Sequence, residues 1–131
     1  MPAETNTGAL GGLRILEWGE GVSAPYCGKL AADYGAEVIK IERPRDGDKA
    51  RWIPPFYQDI PGQDRSGLFL YLNTNKLSIT LDPSTPEGRQ VFLDLVAQVD
   101  VVVENLPVGY LETISVSYEA LRQVNDQVIL L

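Results

Sequence analysis

The run Gly35-Ala36-Glu37-Val38-Ile39-Lys40-Ile41-Glu42-Arg43-Pro44 holds a helix stop, a buried strand and a charged strand end that opens into a loop. The same order recurs along the chain. Residues 13–18 read as a first strand and 38–42 as a second. Leu77, Ile79 and Leu81 alternate with Ser78 and Thr80, a third strand with one less-buried face. Val101-Val102-Val103 gives a short fourth strand and residues 128–131 a fifth. Strands separated by helical patterns pair in parallel through right-handed crossovers, so the expected class is α/β, a Rossmann-like open parallel sheet with flanking helices. Ligand sites in such sheets lie at the carboxyl ends of the strands, which directs attention to Glu42-Arg43.

The intervening helices carry their own punctuation. The first has Ser23 as expected N-cap and Pro25 in its first turn; Cys27, Leu30, Ala31 and Tyr34 form its core face, and Gly35 stops it. The second starts at Ser84-Thr85-Pro86-Glu87, with Phe92, Leu95, Val96 and Val99 facing inward. A last helix runs from a Ser117 cap through Tyr118, Leu121 and Val124. Between strands two and three lies a long Pro-rich segment, 43–67, followed by a helical 68–72; so long and irregular a connection is usually functional or embraces another chain. Residues 1–9 read as a disordered lead-in and 10–131 as one unit. An apolar final strand, Val128-Ile129-Leu130-Leu131, sets the expectation of a domain truncated at its C-terminus, stopping where a site would begin.

Composition removes whole classes of chemistry. The chain has no histidine and a single cysteine, Cys27, so Ser-His-Asp triads, Cys-His pairs, thiolate zinc sites and internal disulfides are excluded within it. One cysteine fits a reducing cytoplasm. No apolar run approaches the roughly 20 residues of a membrane span, and the start is no signal peptide. A net charge of −7 argues against nucleic acid as a partner. Lys40, Arg43, Arg45, Lys49 and Arg51 nonetheless concentrate cations in one segment, suited either to a small anionic ligand or to a solvated loop of mixed charge.

Gly19-x-Gly21-x-x-Ala24 follows a strand and opens a helix, and Glu42 ends the next strand about 20 residues on. That satisfies the dinucleotide fingerprint formally, with Glu42 for the ribose hydroxyls. Pro25 removes one N–H from the helix end, however, and a Gly-rich turn without any cofactor explains the pattern equally well.

A longer set of blocks is more specific. Gly12-Leu13-Arg14-Ile15-Leu16-Glu17, Ala24-Pro25-Tyr26, Leu30-Ala31-Ala32-Asp33-Tyr34-Gly35 running into Glu42, Asn73-Thr74-Asn75-Lys76, Ser78 to Asp82, Pro86-Glu87-Gly88-Arg89 and Asp100 to Asn105 stand collinear. Together with Tyr118-Glu119-Ala120-Leu121 they resemble the class III CoA-transferases, the CaiB/BaiF or formyl-CoA transferase-like family, over nearly residues 10–131. The resemblance implies the N-terminal part of a large domain in an interlocked homodimer that moves CoA between an acyl-CoA and a carboxylic acid. It implies coenzyme A as substrate, no metal, no membrane, and an aspartate nucleophile that lies downstream of this chain. The segment is therefore expected to bind CoA and to be inactive alone.

Carried over by position, the implied CoA contacts are Val22 and Ser23 at the turn, Arg43 at the nucleotide end, Leu81 against adenine, and Asn105-Leu106 after the fourth strand. Ser84 and Thr113 stand where members carry cations, and Asn105-Leu106-Pro107-Val108-Gly109 departs from the usual Asn-Phe-x-Pro-Gly. Glu42, Asp82 and Glu104 are expected as structural acids at strand ends, and Lys40 and Lys76 on the surface. Two other readings stand beside this one. One is an NAD-type dinucleotide module using Gly19, Gly21 and Glu42; the other is a non-catalytic interaction fragment.

Overall fold

A computed structural model describes residues 8–131. Five strands form one parallel sheet: β1 (Arg14–Trp18), β2 (Glu37–Glu42), β3 (Leu77–Thr80), β4 (Val101–Glu104) and β5 (Ile129–Leu130). Their spatial order is β3-β2-β1-β4-β5, so the winding reverses between β1 and β4. The helices are α1 (Ser23–Asp33), α2 (Gly67–Leu72), α3 (Pro86–Val96), α4 (Tyr110–Thr113) and α5 (Tyr118–Val124). The α/β open sheet expected from the alternation is therefore the fold observed. The expected disordered lead-in falls largely on residues 1–7, outside the described residues; Gly8 already accepts a hydrogen bond from Gly11 N–H at 2.8 Å.

Period-two side-chain alternation splits the core into two layers. Leu16, Ile41 and Val102 point to one face, where Phe92 and Val96 of α3 and Leu121 of α5 cover them. Ile15, Val38 and Val103 point to the other and meet Ala24, Ala31 and Ala32 of α1. Helix α3 follows its expectation closely: Pro86 occupies the first turn, Thr85 Oγ1 accepts from Gly88 N–H, and Phe92, Val96 and Val99 are buried. Ser117 likewise caps α5 through Ala120 N–H. Strand β3 is an edge strand, which explains its weak burial. Helix α4 has no counterpart in the sequence expectations; its single turn follows the left-handed Gly109.

Helix α1 corrects two of them. Its N-cap is Val22, with no side-chain cap, because the Ser23 hydroxyl accepts instead from Asn105 Nδ2 at 2.9 Å. Its inward face is Ala24, Pro25, Gly28, Ala31 and Ala32, while Leu30 and Tyr34 are 42% and 59% exposed. The physical reason lies underneath. A Cβ at Gly28 would overlap the Glu17 carboxylate, so α1 must turn its smallest residues toward a charged layer.

Candidate functional site

The charged layer starts from strand register. Glu17 of β1 and Lys40 of β2 are directly paired neighbours on the α1 side of the sheet. Lys40 Nζ lies 2.9 Å from Glu17 Oε1 and 2.8 Å from Asp48 Oδ2, and donates to the Gly19 carbonyl at 2.9 Å. Lys76 Nζ lies 2.6 Å from Glu17 Oε2 and donates to the Pro25 carbonyl and Asn73 Oδ1. Glu17 Oε2 and Asp48 Oδ2 meet these ammonium groups as ion pairs. All four side chains are at most 2% exposed. Lys40 and Lys76 are thus not surface residues: two cations facing two anions neutralise each other where water cannot. Burial pushes the Lys76 ammonium below its ordinary pKa, and the nearby Glu17 charge opposes that shift.

A second ionic group adjoins the first. Glu42 receives Arg51 through both oxygens, at 2.7 and 2.8 Å, together with Ser78 Oγ at 2.8 Å and Asp48 N–H at 3.0 Å. Burial acts to raise its carboxyl pKa. The hydrogen bonds from Arg51, Asp48 and Ser78 outweigh that and hold it at about 2. Arg51 in turn stacks over the Phe69 ring at 3.7 Å. The long segment after β2 is therefore folded back: Asp48 and Ala50 are buried, and Asp48 Oδ1 accepts from Gly21 N–H at 2.9 Å and Ala50 N–H at 2.8 Å.

These contacts decide the dinucleotide alternative. Its pattern requires the glycine turn to offer N–H groups to a pyrophosphate and Glu42 to face a ribose. Gly21 N–H is taken by Asp48, and Glu20 N–H donates to Asn105 Oδ1 at 2.9 Å. Glu42 is committed to Arg51 and Ser78. The turn is filled by the protein's own groups, and Glu42 is a structural acid, as the sequence reading held.

The principal cleft lies along the carboxyl ends of β1 to β4 and has a volume of about 680 Å³. Trp18 and Ile41 floor it, Arg43, Pro44 and Arg45 form one wall, and Leu81 to Ser84 and Leu106-Pro107 with Tyr110 form the others. Trp18 is held in place by Phe92 and Tyr110, with ring centroids 5.0 and 6.1 Å away. Of the six expected contacts, Arg43, Leu81 and Leu106 line this cleft. Val22, Ser23 and Asn105 do not; they sit together at the neighbouring β1–α1 turn. Asn105 ties that turn to β4, donating to the Glu20 carbonyl at 2.8 Å as well as to Ser23. Arg43 Nε faces Glu20 Oε1 at 2.8 Å. Trp18, Glu20, Arg45 and Tyr110 are cleft residues that the sequence reading did not select. Trp18 ends β1, and Glu20 and Arg45 follow strand ends within three residues, which was the available signal; Tyr110 opens α4 and carried none. Ser84 lines the cleft and is held by Asp82, whereas Thr113 lies outside it and donates to the Tyr110 carbonyl.

Because Asn105 makes three hydrogen bonds across the switch point, Asn105→Ala is expected to lower stability by about 1–2 kcal/mol. Hydrogen exchange should quicken selectively at Glu20 N–H; unchanged exchange there would contradict this positioning role.

Among the described residues, no group of three or more His, Cys, Asp or Glu could hold a metal, and no helix is long and apolar enough to cross a membrane. The family model described as CoA-transferase family III matches residues 10–131. The chain is 44% identical over 122 residues to a succinyl-CoA:mesaconate CoA-transferase of Haloarcula hispanica, covering 93% of this chain and 31% of that protein. It is 44% identical over 123 residues to a formyl-CoA:oxalate CoA-transferase of Bradyrhizobium diazoefficiens, covering 94% and 28%. A crystal structure of a CaiB/BaiF family protein from Brucella suis superimposes with a TM-score of 0.83 at 41% identity, covering 94% of this chain and 32% of that one. The chain thus spans about a third of the length of the relatives it matches, and within that span it belongs to CoA-transferase family III.

Proposed function

We propose that this chain is the CoA-binding segment of an enzyme that transfers CoA between carboxylic acids. The observation that carries the reading is the cleft at the carboxyl ends of the strands, where Arg43, Leu81 and Leu106 converge. A guanidinium suits a phosphate or a purine face, and the two leucines offer an apolar surface to adenine. Val22, Ser23 and Asn105 border the β1–α1 turn, where the rest of the CoA would pass.

The chemistry of transfer needs a carboxylate nucleophile. It attacks the acyl-CoA thioester and expels the CoA thiolate, leaving a mixed anhydride. The thiolate then attacks the enzyme's own acyl carbon, releasing the donor acid and forming an aspartyl-CoA thioester. The two carboxylates that line the cleft are engaged by neighbours, Glu20 by Arg43 and Asp82 by Ser84. As the family resemblance implies, the proposed nucleophilic aspartate lies in the part of the relatives' length that this chain does not cover. An acyl-CoA and a carboxylic acid are the partners of that whole protein, as an interlocked homodimer in the cytoplasm.

Calorimetric titration tests the binding claim. Saturable binding of CoA with no response to NAD is the expected result; saturable NAD binding with no CoA response would overturn it. The 131-residue chain is expected to give no acyl transfer, and turnover by it alone would refute the assignment of the nucleophile elsewhere.

A further inference from the structure

The wall formed by Arg43 and Arg45 has a second side. A smaller cavity of about 220 Å³ opens behind it, lined by both arginines together with Arg51, Glu42, Ser78 and Thr80. The two arginines line the main cleft as well, so one ligand could reach both spaces across them.

The cations of the small cavity differ in how they are engaged. Arg51 is held by Glu42 through two bonds and by Asp64 at 2.9 Å. Arg43 is paired with Glu20. Among the described residues the Arg45 guanidinium has neither an ion pair nor a hydrogen bond, although its backbone is fixed. Its carbonyl accepts from Gln63 Nε2 at 2.9 Å and its φ is 71°, a left-handed conformation uncommon outside glycine. An anchored backbone thus presents an unneutralised cation at a polar cavity. Both acids on the cavity lining, Glu42 and Asp64, are held by Arg51.

We propose that this cavity is a phosphate-monoester subsite, with Arg45 as its cation, for the ribose phosphate at the nucleotide end of CoA. The proposal rests on the CoA reading of the main cleft. A pyrophosphate is an internal link and must continue along the main cleft toward the β1–α1 turn. A monoester is terminal and can branch into a side cavity. It carries more than one negative charge at neutral pH, which a guanidinium fork can meet with two parallel hydrogen bonds. The Thr80 hydroxyl stands on the same lining.

The test compares CoA with 3′-dephospho-CoA by calorimetry, on the 131-residue chain and on Arg45→Gln, which keeps the side-chain stem and removes the charge. CoA is expected to bind about tenfold more tightly than the dephospho form, the value of one charge-assisted hydrogen bond. Arg45→Gln should erase that difference by weakening CoA alone. Equal binding of the two ligands by the unsubstituted chain, or a CoA preference that survives Arg45→Gln, overturns the subsite and leaves the CoA reading standing. Failure of both ligands to bind overturns both. As a second readout, the Arg45 Nε–H signal, assigned by its loss in Arg45→Gln, should move with adenosine 3′,5′-bisphosphate and stay still with adenosine 5′-monophosphate. A signal unmoved at saturation by the bisphosphate refutes the assignment.

Discussion

Replacing Lys40 by methionine is expected to cost about 3–5 kcal/mol of stability, read as a lower midpoint in urea denaturation. Methionine is of similar length, so the loss is one of charge and not of volume. Lys40 is the cation that both Glu17 and Asp48 share, and it also binds the Gly19 carbonyl. Without it Asp48 has no cation, and Glu17 has only Lys76. Removing one partner of a buried ionic group leaves an under-compensated charge, and Asp48 would keep only the N–H groups of Gly21 and Ala50. The consequence extends to the site. Asp48 holds Gly21 N–H, so a loosened Asp48 should free the β1–α1 turn and weaken CoA binding in the same variant. A loss below about 1 kcal/mol would show that the layer does not hold this loop to the sheet.

The Glu42–Arg51 pair should leave its mark on acid stability. The folded carboxyl titrates at about 2 against 4.5 for the free group. Because the folded value is the lower one, its contribution is complete above pH 4.5 and is lost as the pH falls through 2. That contribution is about 3 kcal/mol for a carboxylate only 6% exposed. Glu42→Gln should therefore destabilise by about 2–3 kcal/mol at neutral pH, since an amide cannot accept both Arg51 bonds. Asp33, Asp82 and Glu119 also have lowered values, so the diagnostic quantity is the difference between the two stability curves. It should shrink steadily between pH 4.5 and 2. Parallel curves across that range would remove Glu42 from the account.

The strands were legible because their signal is local. Val38 and Ile41 point to opposite faces in any pleated strand, and the sequence shows it without knowing the neighbours. The same rule places Lys40 on the Val38 face, under α1. Its burial was missed because the groups that neutralise it come from two separate places, Glu17 on β1 and Asp48 in the long loop. The face of α1 was missed for a related reason. Spacing favours the large residues Leu30 and Tyr34, but the layer beneath admits only Gly28 and alanines. Resemblance to relatives gave Asn105 as a ligand contact; its three hydrogen bonds to the turn beside the cleft were not legible in the sequence.

The sequence by itself determined the order of the strands and of every helix but α4, the parallel sheet and the family, because period, punctuation and collinear blocks are properties of neighbouring residues. Only the tertiary structure decided which charges are buried, which cleft arginine is unpaired among the described residues and where the cleft opens. Those outcomes depend on Coulomb and desolvation terms between groups far apart in the chain, and no local pattern records such distances.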